Sequence, residues 1–182
     1  AIVMPGNDDI FEIDKVINKS ERVINPLGKV VPLCFNYELI SLDYCNTTPW
    51  DSPRECSEDE LWKKLKKLDG MVKGDWDKVV CNFHCPPYGT RLDIALKLKN
   101  LRPVYTRGEP EREHVGSKSI QRFMKEYQPL IGLHGHIHEC PAYDHIGKTV
   151  VLNPGSEYDA GILRGFIVEF TKDGIDKWYK VG

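Results

Sequence analysis

The sequence lacks the features by which membrane proteins and nucleic-acid-binding proteins are recognised. Its 25 basic and 27 acidic residues are well mixed and leave a formal net charge of -2, so no strong positive field attracts an anionic polymer. No apolar run approaches the ~18–20 residues that a membrane span requires. We therefore expect a soluble, cytoplasmic protein with no membrane association and no strong nucleic-acid signal, while homo-oligomerisation stays open.

Cysteine pairs with the spacing of redox or zinc motifs are also lacking. The six cysteines include no C-x-x-C pair, and a chain of this size can bury a core without disulfides, which favours reduced thiols. Cys85 directly follows His84 and is either a nucleophile or metal ligand, or a small residue packed at the edge of a site. The second interpretation is favoured, because a buried cysteine commonly behaves as a small apolar residue.

Length and hydrophobic patterning indicate a single α/β domain over residues 1–182. Apolar runs predict buried strands at Val79–Phe83 and Leu130–Leu133. The segment Ser57 to Glu60 has the S-x-x-E form of a capping box. Apolar residues at helical spacing follow this box and are expected in the core, namely Leu61, Leu65 and Leu68.

Further elements are predicted on either side of this central region. Turn residues at 25–29 separate Glu21–Ile24 from Val30–Phe35 and predict a hairpin. The segment from His84 to Gly116 is interpreted as a long substrate-facing loop that contains a short helix at Leu92–Leu98. Ser117 is expected to cap a helix that continues to about Tyr127. The remaining predicted strands are Glu38–Tyr44, Thr149–Leu152, Gly165–Phe170 and Ile175–Val181.

The start of the sequence has the pattern of a core strand. Ala1–Met4 is apolar, and turn residues at Pro5–Asp9 lead into a helix-like stretch at Ile10–Ile17. Domains seldom begin inside a core strand, so we expect that the domain is truncated at its N-terminus and that residues precede Ala1. A short first edge strand is the alternative.

Histidines follow both central apolar runs. His84 comes directly after Val79–Phe83, and His136 and His138 lie in a Gly-flanked turn just after Leu130–Leu133. These strand ends are where open α/β sheets bind ligands, and neutral imidazole is the commonest metal ligand. With Asn7 in the first strand-to-helix turn, the residues predict a site for Zn, Mn or Fe, and the rings converge either on one centre or on two adjacent ones.

Four short segments of the chain are Gly6-Asn7-Asp8-Asp9, Asn82-Phe83-His84-Cys85-Pro86-Pro87, Gly135-His136-Ile137-His138 and Asn153-Pro154-Gly155-Ser156. Together they resemble the successive motifs of the calcineurin-like metallophosphoesterases, in the family's order and across nearly the whole chain. The stretch Pro87–Thr90 and the later His114–Ser117 further resemble a branch of small prokaryotic members. The resemblance implies an α/β fold of two packed mixed β-sheets flanked by helices.

The resemblance also implies an activity and a ligand set. Such an enzyme hydrolyses phosphodiester or phosphomonoester bonds at a dinuclear centre of divalent Mn, Zn or Fe. Asn7, His84 and His136 would hold one metal ion, and His138 would help to hold the other. The family's Asp-x-His and Gly-Asp motifs, expected upstream of Gly6, are absent from this sequence, so about half of the site and its bridging carboxylate are missing.

Proton transfer and substrate contact are less well specified by the motifs. Many family members carry His after Gly-Asn, whereas this chain has Asp8, and an ionised carboxylate is a poor general acid at neutral pH. Either its surroundings keep Asp8 protonated, or another donor serves, or the substrate needs little help. Tyr88 and Arg91 are candidate contacts for the phosphate-ester substrate, since a guanidinium suits phosphate. His134 and Asn153 either support the ligands or are ordinary residues of the strand ends.

Two classes of function follow from these observations. The first is a metal-dependent phosphoesterase, favoured because a scaffold has no need of converging imidazoles. The second is a non-catalytic scaffold or binding protein on the same fold, as in the retromer scaffold subunit of this superfamily. A nuclease is disfavoured, because the charge is near neutral and no basic groove with interleaved aromatic residues is evident.

Overall fold

A computed structural model describes residues 1–182 and contains three α-helices and sixteen short strands. The helices are α1 (Glu12–Asn18), α2 (Glu58–Asp69) and α3 (Lys118–Tyr127). The strands are β1 (Val31–Pro32), β2 (Glu38–Leu42), β3 (Cys45–Asn46), β4 (Glu55–Cys56), β5 (Val79–Phe83), β6 (Ile94–Leu96), β7 (Leu98–Lys99), β8 (Arg102–Pro103), β9 (Tyr105–Thr106), β10 (Glu109–Pro110), β11 (Arg112–His114), β12 (Ile131–Leu133), β13 (Ala142–Ile146), β14 (Thr149–Asn153), β15 (Gly165–Thr171) and β16 (Gly174–Val181).

A six-stranded mixed sheet forms the centre of the molecule, with the order β1-β2-β5-β12-β14-β13. The four inner strands are parallel, and the two edge strands are antiparallel to their neighbours. Strands β5 and β12 are therefore adjacent and end at the same edge of the sheet. That adjacency places the residues that follow Phe83 and Leu133 side by side.

Helices α2 and α3 cover one face of this sheet. The predicted capping box is confirmed, since Ser57 Oγ accepts from Glu60 N–H and the Glu60 carboxylate accepts from Ser57 N–H. The predicted core residues Leu61, Leu65 and Leu68 are buried against strand residues such as Cys81 and Phe83. Ser117 caps α3 as expected, since its Oγ accepts from Ile120 N–H.

The hairpin of β15 and β16 covers the other face. Phe166 and Trp178 pack against Val80, Ile131 and Leu152, which alternate along their strands with residues that face the helices. The expectation of an α/β fold with a mixed sheet flanked by helices is thus confirmed at this level. Where two packed sheets were expected, the second is a two-stranded hairpin in this chain.

The segment from Ile94 to His114 is a β-arm, and the predicted helix at Leu92–Leu98 is wrong. Strand β6 pairs with β11 to form a stem, and the small hairpins β7–β8 and β9–β10 extend from it. The residues of β6 pair with residues 16 to 20 positions further along the chain. This cross-strand pairing outweighs the helical preference that the local spacing of apolar residues indicated.

The predicted hairpin of Glu21–Ile24 with Val30–Phe35 is also wrong. Ile24 pairs instead with the start of the chain, because its N–H donates to Ala1 O and its carbonyl accepts from Val3 N–H. Strand β1 is only Val31–Pro32 and pairs with β2. Strand β13 was not predicted at all, although exposed and half-buried residues alternate along it as at a sheet edge.

All six cysteines are free thiols. None of the helices is long and apolar enough to cross a membrane.

Candidate metal centre

Three loops meet at the edge where β5 and β12 end. His84 follows β5 directly, and its backbone N–H donates to Leu42 O at 2.8 Å, which continues the pairing with β2. The turn after β12 lies alongside, since Gly135 N–H donates to His84 O at 2.9 Å. The sheet itself therefore sets the positions of His84 and of the double-histidine turn.

Asn7 brings the two histidines together. Its Oδ1 lies 2.8 Å from His84 Nε2 and 3.0 Å from His136 Nδ1, and the centroids of the two rings are 5.2 Å apart. Its amide nitrogen donates to Ser52 Oγ at 2.8 Å and to Asp8 Oδ1 at 3.0 Å. Because both amide hydrogens have acceptors on that side, the carbonyl oxygen is directed toward the imidazoles.

A buried arginine that the sequence analysis did not single out holds the turn that carries Asn7. Arg54 is only 1% exposed, and its guanidinium pairs with Asp43 and with Asp14 at 3.1 Å and donates to Asp9 O at 2.9 Å. Burial opposes its charge, but the hydrogen bonds to these carboxylates outweigh that effect and raise the pKa of Arg54. No periodic pattern marks Arg54, because its partners lie 11 to 45 positions away.

Burial keeps the two imidazoles neutral. Burial, with a smaller contribution from His136, lowers the pKa of His84 to about 3. Burial also lowers the pKa of His136, although Asp8 and Glu55 act in the opposite sense. A neutral imidazole has the free lone pair that a metal ion requires, so both rings are suited to coordination.

The turn that carries His136 and His138 is held in a strained conformation. His136 has φ +67°, a left-handed conformation that a residue with a Cβ adopts at a cost of about 1–3 kcal/mol. Asn153 stabilises the turn, because its Nδ2 donates to Ile137 O at 2.9 Å. Ser156 N–H donates to His138 O at 3.1 Å. Asn153 therefore contacts the turn that carries His136 and His138, as expected for a residue that supports the metal ligands.

His134 contacts backbone rather than the candidate ligands. Its Nδ1 donates to Phe83 O and Cys85 O at 2.9 and 3.0 Å, so it ties the two strand ends together. Burial lowers the pKa of His134 to about 4, and its Nε2 is buried without a hydrogen-bond partner. The neighbouring Cys85 is fully buried and its thiol contacts Asn46 Oδ1 at 3.1 Å, which fits the packed interpretation rather than a nucleophile.

A cleft of about 920 Å³ opens in front of the centre and brings most of the remaining candidates together. Asn7, Asp8, Tyr88, His136 and His138 all line it, and Asp8 and His138 are exposed.

Arg91 does not line this cleft. Its side chain is exposed, and its guanidinium lies 6.0 Å from the ring of Tyr143, on the edge strand β13. The structure therefore gives no support to Arg91 as a substrate contact.

The donor set fits a divalent metal ion only in part. Two ligand atoms that bind one ion at about 2.1 Å and at right angles lie about 3 Å apart, which matches the distances from Asn7 Oδ1 to the two ring nitrogens. No group of three or more His, Cys, Asp or Glu side chains is suitably placed to hold a metal ion. The third donor is an amide, so no negative charge in this set balances the ion.

Comparisons with known proteins give a fold but no function. No family model matches the chain. The chain is similar to the uncharacterized protein MJ1162 of Methanocaldococcus jannaschii, with 30% identity over 156 residues, which is 85% of this chain and 63% of that protein.

Two solved crystal structures are also similar. One has a TM-score of 0.61 at 19% identity and covers 88% of this chain and 58% of its own. The other is TT1561 of Thermus thermophilus, with a TM-score of 0.52 at 17% identity. The match covers 85% of this chain and 62% of TT1561. The chain thus spans less than two thirds of these relatives' lengths, and the structural likeness defines a mixed α/β fold.

Proposed function

We propose that this chain forms part of a metal-dependent phosphoesterase of the calcineurin-like class, which hydrolyses phosphodiester or phosphomonoester bonds. The observation that carries the proposal is that His84 Nε2 and His136 Nδ1, which follow adjacent parallel strands, both lie within 3.0 Å of Asn7 Oδ1. The position of the His84 ring also depends on a glycine at residue 6. A Cβ on Gly6 would lie 2.9 Å from His84 Cε1.

In this proposal Asn7, His84 and His136 hold one divalent ion, and His138 contributes to a second. Mn, Zn and Fe are the ions that suit mixed nitrogen and oxygen ligands. When bound, such ions lower the pKa of water and neutralise charge on phosphate oxygens. The proposed fold is the two-sheet sandwich of the class, with the β15–β16 hairpin as the part of the second sheet that this chain supplies.

The chain's own side chains have distinct tasks in this scheme. Ser52 and Asp8 accept from the Asn7 amide and so keep its oxygen turned toward the ion. Asp8 therefore acts on a ligand in this scheme, as well as lining the cleft that admits the phosphate ester. Tyr88, on the wall of the same cleft, contacts the substrate.

A non-catalytic scaffold or binding protein on the same fold is the second candidate. It is favoured by one observation, the lack of a carboxylate among the converging donors. A scaffold of this kind would keep the turn geometry without turnover. The convergence of His84 and His136 on the Asn7 amide oxygen favours the enzyme, because a scaffold has no need of converging imidazoles.

The test is hydrolysis of bis(4-nitrophenyl) phosphate and 4-nitrophenyl phosphate by the intact protein loaded with Mn²⁺. We expect His84→Ala to lower kcat/KM on the order of 100-fold or more, since even groups that only support a metal ligand contribute 10–100-fold. His145→Ala is the matched control, because His145 is exposed on β13. Absence of activity in the wild type, or equal activity in the two variants, would favour the scaffold.

A further inference from the structure

A histidine–carboxylate pair stands on the wall of the cleft, apart from the metal ligands. His114 Nδ1 lies 2.8 Å from Oδ1 of Asp93, whose side chain is completely buried. The Asp93 carboxylate also accepts from three backbone N–H groups, those of Gly89, Thr90 and Gly116. With four donors around it, the buried carboxylate is fully hydrogen-bonded and rigidly placed.

The close packing around this carboxylate requires a glycine. A Cβ on Gly116 would lie 2.9 Å from Asp93 Cβ and Oδ2 and 2.6 Å from Pro86 O. The turn after β11 can therefore approach Asp93 only because residue 116 has no side chain. His114, the last residue of β11, directly precedes this turn and contacts the carboxylate from the end of the β-arm.

The Asp93 contact defines which ring nitrogen of His114 faces the cleft. A carboxylate accepts, so Nδ1 carries a hydrogen and Nε2 lies on the side of the ring away from Asp93. The side chain of His114 is 42% exposed and lines the same cleft as Asn7, Asp8 and His136. Tyr88 stands beside it with ring centroids 5.8 Å apart, and Lys118 Nζ lies 5.3 Å from the Tyr88 ring.

We propose that His114, held by Asp93, is the catalytic acid that protonates the leaving group of the phosphate ester. This proposal rests on the proposed phosphoesterase function. Protonated His114 donates its Nε2 hydrogen to the leaving oxygen as the phosphorus–oxygen bond breaks, and a neutral imidazole remains. A water oxygen forms the new bond to phosphorus and releases its proton to solvent, and a solvent proton then restores His114.

The pair also resolves the proton-transfer problem at Asp8. The side chain of Asp8 is exposed and accepts from Asn7, which suits a residue that orients a ligand. Imidazole changes charge between about pH 5 and 8 and is the usual acid in such a step. An imidazole whose far nitrogen is fixed by a buried carboxylate has its tautomer and direction set before substrate enters.

The test compares two substrates whose leaving groups differ in how much they need a proton. We expect His114→Asn, which keeps a donor near Asp93, to lower kcat of the Mn²⁺-loaded intact protein about 100-fold on methyl phenyl phosphate. On methyl 4-nitrophenyl phosphate, whose leaving group needs no proton, the loss should be about threefold or less. His145→Ala is the control for replacing an exposed histidine.

A second measurement needs neither metal nor turnover. Long-range ¹H–¹⁵N spectra of the metal-free protein should find neutral His114 as the Nδ1–H tautomer. An Nε2–H tautomer, or equal loss of kcat on the two esters, would overturn the role of His114 while leaving the phosphoesterase intact. A wild type that hydrolyses neither ester would overturn both proposals.

Discussion

Asn7 and His84 are 77 positions apart in sequence, yet the amide oxygen of the first lies 2.8 Å from Nε2 of the second. The contact joins a strand-to-helix turn to the end of a central strand. His136 reaches the same oxygen from the neighbouring strand. The Asn7 amide oxygen thus contacts both histidines of the candidate centre. A substitution that displaces this oxygen or the His84 ring should therefore change the geometry of the centre.

Gly6→Ala tests how tightly this contact is built. The new Cβ would lie 2.9 Å from His84 Cε1 and 3.2 Å from Nε2, so the ring must move and its contact with Asn7 is disturbed. We expect at least a tenfold loss of Mn²⁺-dependent activity, since outer contacts of metal ligands commonly contribute 10–100-fold. The fold should remain intact, because the clash is with one side chain. Activity and a thermal unfolding curve measure both effects.

Gly70→Ala is the matched control. Gly70 ends α2 with φ -63°, and its nearest contacts to an added Cβ are 3.6 Å or more away. Activity should not change, and stability should stay equal or rise by about 0.4–1 kcal/mol. If Gly6→Ala retained full activity, the His84–Asn7 contact would not matter for the site.

Arg54→Met should strongly destabilise the protein. Methionine replaces the aliphatic part of the arginine side chain, but loss of the guanidinium leaves the buried Asp43 carboxylate without its partner and removes the donors to Asp9 O and Ile10 O. Removing one partner of a buried ion pair costs about 3–5 kcal/mol. Urea unfolding measures the change, with Arg22→Met as a control in which an exposed arginine is replaced. Similar stabilities in the two variants would contradict the buried network.

Local sequence patterns predicted the site residues that follow the central strands. His84 and His136 follow apolar runs that form β5 and β12, and parallel strands that are neighbours bring their ends together. Arg54 was missed as a functional group because its partners lie 11 to 45 positions away in the sequence. The Asp93–His114 pair was missed because its two residues are 21 positions apart. No periodic pattern marks either set of contacts. A short helix was predicted at Leu92–Leu98, where the β-arm begins, for the same reason: the pairing partners of this segment lie far along the chain.

Glu58 links the two helices, and its removal should lower stability in a pH-dependent way. Its carboxylate accepts from Ser117 Oγ and from the N–H groups of Lys118 and Ser119, each at 2.8 Å, at the start of α3. Burial acts against its charge, but these hydrogen bonds outweigh burial and lower the pKa of Glu58 below its ordinary 4.5. The negative charge also suits a helix N-terminus.

A folded-state pKa below the unfolded one contributes stability above about pH 4.5, which is lost as the pH falls through the folded pKa. Glu58→Gln should therefore lower the free energy of unfolding by about 1–2 kcal/mol at pH 7, with a smaller difference at pH 3. Glu126→Gln, at an exposed position of α3, is the control. A constant difference from pH 3 to pH 7 would argue against the charge of Glu58 as the cause.

These 182 residues alone should retain divalent metal poorly. Asn7, His84 and His136 are neutral donors, and the set contains no carboxylate to balance an ion's charge. After incubation with Mn²⁺ and gel filtration, we expect well below one ion per chain by elemental analysis. Zn²⁺ should be held more tightly than Mn²⁺, because imidazole nitrogen favours metals later in the first-row series. His84→Ala should abolish the residual binding and His145→Ala should leave it unchanged. Two fully occupied ions in crystals of these residues would contradict this account, because they would require negative ligands that the cluster does not contain.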